Sequence, residues 1–198
     1  MSKAERTRQF IIEQTAPVFN KQGYAGTSLA DLMAATGLTK GAIYGNFENK
    51  EEVALAAFDY NVAAVQQGMG MGAQSTEPVR ELLLAVPHFY RQIYPMFKQA
   101  GGCPVMNALV ETDDAPPVAL RLRAQASLAK WQRNLQQLIE RGQQTGEIRV
   151  GVDASRYAML FIALIEGGIL IARSTCEPTA LFASLDHVEH LIKTDLLD

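Results

Sequence analysis

The sequence predicts an all-α protein, on three observations. Apolar residues recur at helical intervals from one end to the other, and no run alternates with period two for long enough to form a sheet. Residues 27–50, TSLADLMAATGLTKGAIYGNFENK, spell two short helices joined by a tight turn. The break Gly68-Met-Gly-Met-Gly72 separates a small first domain, 1–50 with a connecting helix 49–67, from a larger second one, 68–198.

The first helix is expected over 4–22, with Ile12, Ala16 and Phe19 on one face and Gly23 ending it. Pro17 removes a backbone bond to Glu13 and predicts a local bend. Thr27 or Ser28 caps the next helix, whose apolar stripe is Leu29, Leu32 and Met33. Gly37 can take the positive φ that closes it, and Leu38 buries just after. Thr39 opens a helix over 39–45, with Ala42, Ile43 and Phe47 facing inward. A helix this short, set across another by a glycine turn, is too small to fold alone. Its usual use is to present its N-terminal residues to the major groove of DNA. Asn49 or Glu48 caps the connecting helix, with Val53, Ala57, Tyr60 and Ala64 as its stripe. The glycines at 68–72 superficially resemble a phosphate loop, but no strand precedes them, so they read as a linker.

The second domain opens at Thr76 and Pro78, a cap and an early-turn proline. Val79, Leu82, Leu83, Val86, Tyr90, Ile93 and Phe97 follow at helical spacing, with Pro87 and Pro95 expected to kink or stop that helix. Gly101-Gly102 starts a new turn at Cys103. Pro116-Pro117 opens a long amphipathic helix ending near Gly146. Asp153 caps a helix over 154–174 that is apolar on almost every face. Thr179 starts the last, with Leu181, Leu185, Val188, Ile192 and Leu196 on one side. A helix apolar all round must be covered all round, and this domain has too few other helices for that. A second copy would supply the cover as an isologous homodimer through helices near 154–174 and 179–197. Gly167, Gly168 and Ala163 would allow close helix approach there.

Composition narrows the function. Hydrophobic residues make up 48% of 198, so the chain is neither disordered nor fibrous. The start, MSKAERTRQ, is charged and has no signal-peptide pattern, and Cys103 and Cys176 give neither a disulfide framework nor zinc spacing. A cytoplasmic, reduced protein is expected. No P-loop, nucleophile elbow or HExxH pair points to an enzyme, so no catalytic residue, metal or cofactor is assigned. His187 and His190, beside Asp186 and Glu189, read as solvated surface, and His88 stands alone. The net charge of −3 argues mildly against bulk electrostatic attraction to nucleic acid, and residues 1–67 hold 6 Lys or Arg against 7 Asp or Glu. The basic residues cluster, however: Lys3, Arg6 and Arg8, then Lys40 and Lys50 flanking the short helix.

Residues 6–55 resemble the TetR family of bacterial transcriptional regulators. The resemblance rests on Arg8, Ile11 or Ile12, Ala16, Phe19, Gly23 and Tyr24, then on Thr27-Ser28, Asp31-Leu32, Gly37-Leu38-Thr39-Lys40-Gly41, Ile43-Tyr44, Phe47 and Lys50-Glu51. Further along, Gly102-Cys103 with Asn107 and Glu111, and Glu166-Gly167-Gly168 with Ala172-Arg173, are similar to one branch of that family. Asn46 departs from the histidine or tyrosine usual there, Met33 and Thr36 from small alanines, and Pro17 from a proline-free helix.

The resemblance implies an N-terminal helix-turn-helix DNA-binding domain and a C-terminal helical ligand-binding and dimerisation domain. Thr39, Lys40, Gly41 and Ala42 would read base edges, with Lys40 suited to guanine, the Ala42 methyl to thymine, and Gly41 permitting close approach. Thr27, Ser28, Tyr44, Asn46 and Lys50 would meet phosphates of double-stranded operator DNA. Arg6 and Arg8 reach a flanking phosphate or form an ordinary solvated face. An effector pocket would draw on Phe89, Tyr90, Ile93, Tyr94, Phe97, Met106, Asn107, Trp131, Phe161, Ile165 and Glu166, although a packed core explains most of these equally well. Glu166 needs a partner in Arg173, Asn107, a hydroxyl or a ligand. The implied function is a ligand-responsive regulator, a repressor released from its operator by a small molecule, with the helix 49–67 as lever. Two alternatives remain: the same scaffold switched by thiol modification at Cys103, at an expected helix N-terminus, or a helical interaction module without DNA binding.

Overall fold

The computed structural model describes residues 2–69 and 77–197. The chain forms two compact units, one of residues 1–65 with 100–127, the other of 66–99 with 128–198. The expected linker residues Gly70, Met71 and Gly72, and the expected cap Thr76, lie outside the described residues.

In the first unit, α1 spans Lys3–Gly26 and is opened by a reciprocal capping box between Ser2 and Glu5. It runs through Pro17 and breaks instead at Gly23, whose φ of 75° and ψ of 174° are open only to glycine. Gly23 therefore ends the regular helix, as expected, and one separate turn follows the kink to Gly26. The helix α2 (Leu29–Thr36) is capped by a second box, Ser28 with Asp31, and closed by Gly37 at φ 68°. Thr36, one of the unusual residues in that helix, donates to Leu32 O at 2.7 Å and accepts from Leu38 N at 3.2 Å, so its hydroxyl ties off the turn. Thr39 caps α3 (Lys40–Tyr44), and α4 follows over Lys50–Gly68.

Ile11, Ala16 and Phe19 of α1 bury against Leu32, Ile43, Phe47, Val53 and Ala57 to form one small core. Three apolar assignments read from spacing differ, Met33, Tyr60 and Ala64, all of them exposed. Met33 is 36% exposed and Tyr60 39% exposed. The Asn61 amide donates to Ala16 O at 2.9 Å, which fixes α4 in the rotation that buries Val53, Ala54, Ala57, Phe58 and Val62 and turns Tyr60 outward. The same unit includes α6 (Pro104–Glu111), with Cys103 at its N-cap.

The second unit is built from α5 (Val79–Ala100), the greater part of α7 (Val118–Thr145), α8 (Ala154–Thr175) and α9 (Thr179–Leu191), which runs on into one turn of π-helix, Ile192–Leu196. Neither Pro87 nor Pro95 stops α5; burial of Leu83, Leu84, Val86 and Tyr90 around Pro87 holds the helix through the lost backbone bond. Asp153 caps α8 by accepting from Arg156 N at 3.0 Å. Gly168 lets α9 lie directly on α8, since a Cβ there would meet Leu181 Cα at 3.0 Å. Leu181, Leu185, Val188, Ile192 and Leu196 are all buried within the chain, so the apolar face of α9 is already covered. The opposite side of α8 is not: Met159, Leu170 and Ile171 are each more than half exposed, with Ala163 and Gly167 between them at helical spacing. Among the described residues α8 is the one helix long and apolar enough to cross a bilayer, and its buried face carries Glu166, as in a soluble core helix.

Candidate nucleic-acid interface

The candidate reading head is a short helix, α3, standing on an apolar base. Ile43 and Phe47 are buried, which pins α3 to α1, α2 and α4, while Thr39, Lys40 and Gly41 are exposed at its N-terminal end and Ala42 is half-buried. The Thr39 hydroxyl accepts from Ala42 N at 3.3 Å, so the helix start is closed by a side chain and the N–H groups before it face outward. Nothing lies within 4 Å of where a Cβ on Gly41 would sit. The fold therefore does not require a glycine there, and space in front of it belongs to whatever approaches.

Of the five expected phosphate contacts, three reach the surface, and one of these, Ser28, has its hydroxyl already bonded within the chain: it donates to Asp31 Oδ2 at 2.6 Å and accepts from Asp31 N at 3.2 Å. Ser28 is exposed, Tyr44 is half-buried, and the Lys50 ammonium lies 4.3 Å from the Tyr24 ring centre, held in a cation–π contact that fixes its direction. Burial first, then the negative charge of Glu51 and the neighbouring Tyr44, raises the Tyr24 hydroxyl above its ordinary pKa. Thr27 has no exposed surface, and its hydroxyl donates to Gly23 O at 2.6 Å, closing the bend after α1. The Asn46 side chain donates to Ala42 O at 2.9 Å and so caps the last turn of α3. In this conformation the side chains of Thr27 and Asn46, like that of Ser28, are bonded within the chain.

Arg8 is likewise committed inward. Its guanidinium donates to Asn46 O and to Glu52 Oε1 at 2.7 Å, and stacks 3.9 Å from the Phe47 ring centre. The other oxygen of Glu52 accepts from Glu48 N at 2.7 Å. That backbone bond, with Arg8 second, holds the Glu52 carboxyl below its ordinary pKa. Together these residues clasp the turn between α3 and α4 and set the angle at which α3 is presented. A guanidinium that donates to two acceptors while covering an aromatic ring makes contacts that lysine could not replace.

A second clasp was not legible from spacing alone. Glu111, at the end of α6, accepts the backbone N–H groups of Tyr24 and Ala25, each at 2.8 Å. Gly23 makes this approach possible, since a Cβ there would lie 2.6 Å from Glu111 Oε1. The Asn107 amide donates to Asn20 O at 3.0 Å and to Gly101 O at 2.9 Å, and Asn20 donates to Gly102 O at 3.0 Å. Sequence resemblance had grouped Asn107 and Glu111; their common role is to tie α6 to the exit of α1, immediately before the reading helices.

The remaining candidates divide between the units. Met106 and Asn107 belong to the first. Phe89, Tyr90, Ile93, Tyr94, Phe97, Trp131, Phe161, Ile165 and Glu166 belong to the second, where Tyr90, Phe97, Trp131, Phe161 and Ile165 are buried. The Tyr90 ring lies 6.0 Å from Phe97 and 6.2 Å from Trp131, so these three form one aromatic cluster. Glu166 is 9% exposed and has an interaction partner of its own. Cys103 is 4% exposed.

Comparison with known proteins agrees with this arrangement. Residues 11–57 match the family described as bacterial regulatory proteins, tetR family, and residues 79–188 match the tetracyclin repressor-like C-terminal domain. A crystal structure of a TetR-family transcriptional regulator from Cytophaga hutchinsonii is 46% identical, covering 98% of this chain and 96% of its own, with a TM-score of 0.89. A TetR transcriptional regulator from Chloroflexus aurantiacus is 38% identical, covering 100% of this chain and 99% of its own, with a TM-score of 0.91. The HTH-type transcriptional repressor DhaR of Mycobacterium sp. (strain GP1) is 28% identical, over 82% of this chain and 80% of its own length.

Proposed function

Because this chain belongs to the TetR family of bacterial transcriptional regulators, we propose that it works as a homodimeric repressor, released from its operator when the second unit takes up a small molecule. The observation that carries the reading is the exposed Thr39-Lys40-Gly41 end of α3, with Ala42 half-buried beside it, on a base of buried Ile43 and Phe47. Those four residues read base edges, Lys40 by donating to guanine and Ala42 by touching a thymine methyl. Ser28, Tyr44 and Lys50 hold the register through phosphates, with the outward N–H groups at the start of α3 adding to them.

The exposed stripe of α8, Met159 to Ile171 with Ala163 and Gly167, is the surface on which a second copy sits. Because the apolar face of α9 is spent within the chain, α8 supplies the greater share of that interface and α9 its polar rim of Asp186, His187 and His190. Two-fold pairing sets the reading heads about 34 Å apart, one turn of DNA. An effector weakens operator binding only by preferring a dimer with a different separation, and operator DNA must then weaken effector binding by the same factor. The lever is α4, and the bonds of Asn107 and Glu111 give α6 a hold on the exit of α1, next to the reading helices. The site of action is the cytoplasm.

The test is an electrophoretic shift with the DNA upstream of the chain's own gene, combined with sedimentation of the free protein. We expect a shift at low salt and a dimer in solution. A monomer, or equal affinity for every duplex offered, would overturn the reading.

A further inference from the structure

Two long-range contacts in the first unit meet at one residue. Glu111 accepts the backbone N–H of Tyr24 at 2.8 Å, and the ring of the same tyrosine has the Lys50 ammonium 4.3 Å from its centre. Tyr24 therefore stands between a carboxylate at the end of α6 and a cation at the start of α4.

The backbone of Tyr24 needs that hold. It follows Gly23, at φ 75° and ψ 174°, and opens a single turn that ends at Gly26. A turn this short leaves its leading N–H groups without helical acceptors. Glu111 supplies both, taking Tyr24 N through one oxygen and Ala25 N through the other, each at 2.8 Å. Thr27 secures the carbonyl side of the bend by donating to Gly23 O at 2.6 Å, and Glu111 secures the N–H side.

Lys50 depends on the ring in turn. Among the described residues its ammonium makes no hydrogen bond or salt bridge, so the face of Tyr24 is what orients it. Without that face a lysine side chain ranges over many rotamers, and fixing it on a phosphate costs the corresponding entropy.

We propose that Glu111 is a positioning residue for DNA binding: by holding the Tyr24 backbone it keeps the ring under Lys50 and the ammonium aimed at a phosphate. This rests on Lys50 being a phosphate contact, and it gives α6 a part in the grip on DNA without touching it. Charge and position forecast opposite outcomes. Removing an acidic residue for its charge alone tightens binding to a polyanion, whereas removing this support loosens it.

The test uses the full-length protein and the duplex upstream of its own gene, below the melting temperature of every variant. In the free protein the Tyr24 ring current shifts the Lys50 ε-methylene protons upfield. Glu111→Ala should return them toward the ordinary lysine position, and Tyr24→Leu should do so with the clasp intact. Glu111→Gln keeps one acceptor oxygen, so it should shift them less, and it serves where the alanine variant does not fold. On DNA, Lys50→Ala should lower the salt slope by about 1. Glu111→Ala and Tyr24→Leu should each weaken the complex about two- to fivefold, the worth of one exposed cation–π contact, and lower the slope in the same direction. In a Lys50→Ala background neither should weaken it further. A support with no bearing on Lys50 would instead cost the same in both backgrounds. The proposal is overturned by Lys50 protons that stay in place in Glu111→Ala, by unchanged or tighter DNA binding of that variant, or by equal losses with and without Lys50. A slope that falls for Lys50→Ala but not for Glu111→Ala removes the positioning role alone. A slope unchanged in Lys50→Ala removes the phosphate contact, and the proposal with it.

Discussion

Replacing Glu111 by alanine isolates the clasp between α6 and the exit of α1. The carboxylate accepts two backbone N–H groups at 2.8 Å, one of them, on Tyr24, partly buried and the other, on Ala25, exposed. A hydrogen bond to a charged group contributes about 1.5–3 kcal/mol when sheltered, and water replaces most of the exposed one, so the pair is worth about 2 kcal/mol. For a chain of this size that lowers Tm by about 4–8 °C. The local signature is sharper, because the Tyr24 amide loses its acceptor. Its hydrogen exchange should speed up by more than that of amides in α2, which keep theirs. Gly23→Ala provides the cross-check, since its Cβ would lie 2.6 Å from Glu111 Oε1 and its backbone would be strained at φ 75°. Removing Glu111 relieves the clash but not the strain, so the double variant should lose less than the sum of the two single ones. A Glu111→Ala protein that melts within about 1 °C of the parent, against the several degrees expected, with Tyr24 exchange unchanged, would show that the clasp contributes nothing.

Four further outcomes are expected. Gly41→Ala should leave the fold intact, gaining up to about 1 kcal/mol in helix propensity because nothing lies within 4 Å of the new methyl, yet weaken operator binding in a titration; unchanged affinity would mean that DNA does not approach there. Lys50→Ala should weaken all sequences alike and lower the salt slope by about 1, whereas Lys40→Ala should also relax base preference, as read from operator variants in a salt series. Asp31 has its pKa held down by the hydroxyl and then the N–H of Ser28, so the α2 cap is at full strength above the ordinary value of 3.8 and is lost as pH falls through the lower folded value. Asp31→Asn should therefore flatten part of the acid limb of a circular-dichroism titration and leave neutral-pH unfolding less protected. Cys103→Ser should keep its full response to electrophiles, because a thiol 4% exposed is poorly accessible; loss of the response would revive the thiol switch.

The sequence by itself determined the helical class, the helix-turn-helix and the start of its second helix at Thr39, because these follow from local rules: capping residues, a 3.6-residue period and a glycine at φ 68°. Asp153 and Gly146 marked helix ends for the same reason. Spacing did not determine which polar side chains were available. Thr27, Asn46 and Arg8 look like DNA contacts along the chain, but each is occupied by a partner 4 to 44 residues away. Nor could it show that Tyr60 turns outward, which depends on Asn61 reaching Ala16. Glu111 meets Tyr24 and Ala25 across 87 and 86 residues, and Tyr94 and Trp131 are left without acceptors only once their neighbours are packed. Periodicity records which face of a helix is apolar; which donor meets which acceptor is settled by contacts between distant segments, and those exist only after the chain has folded.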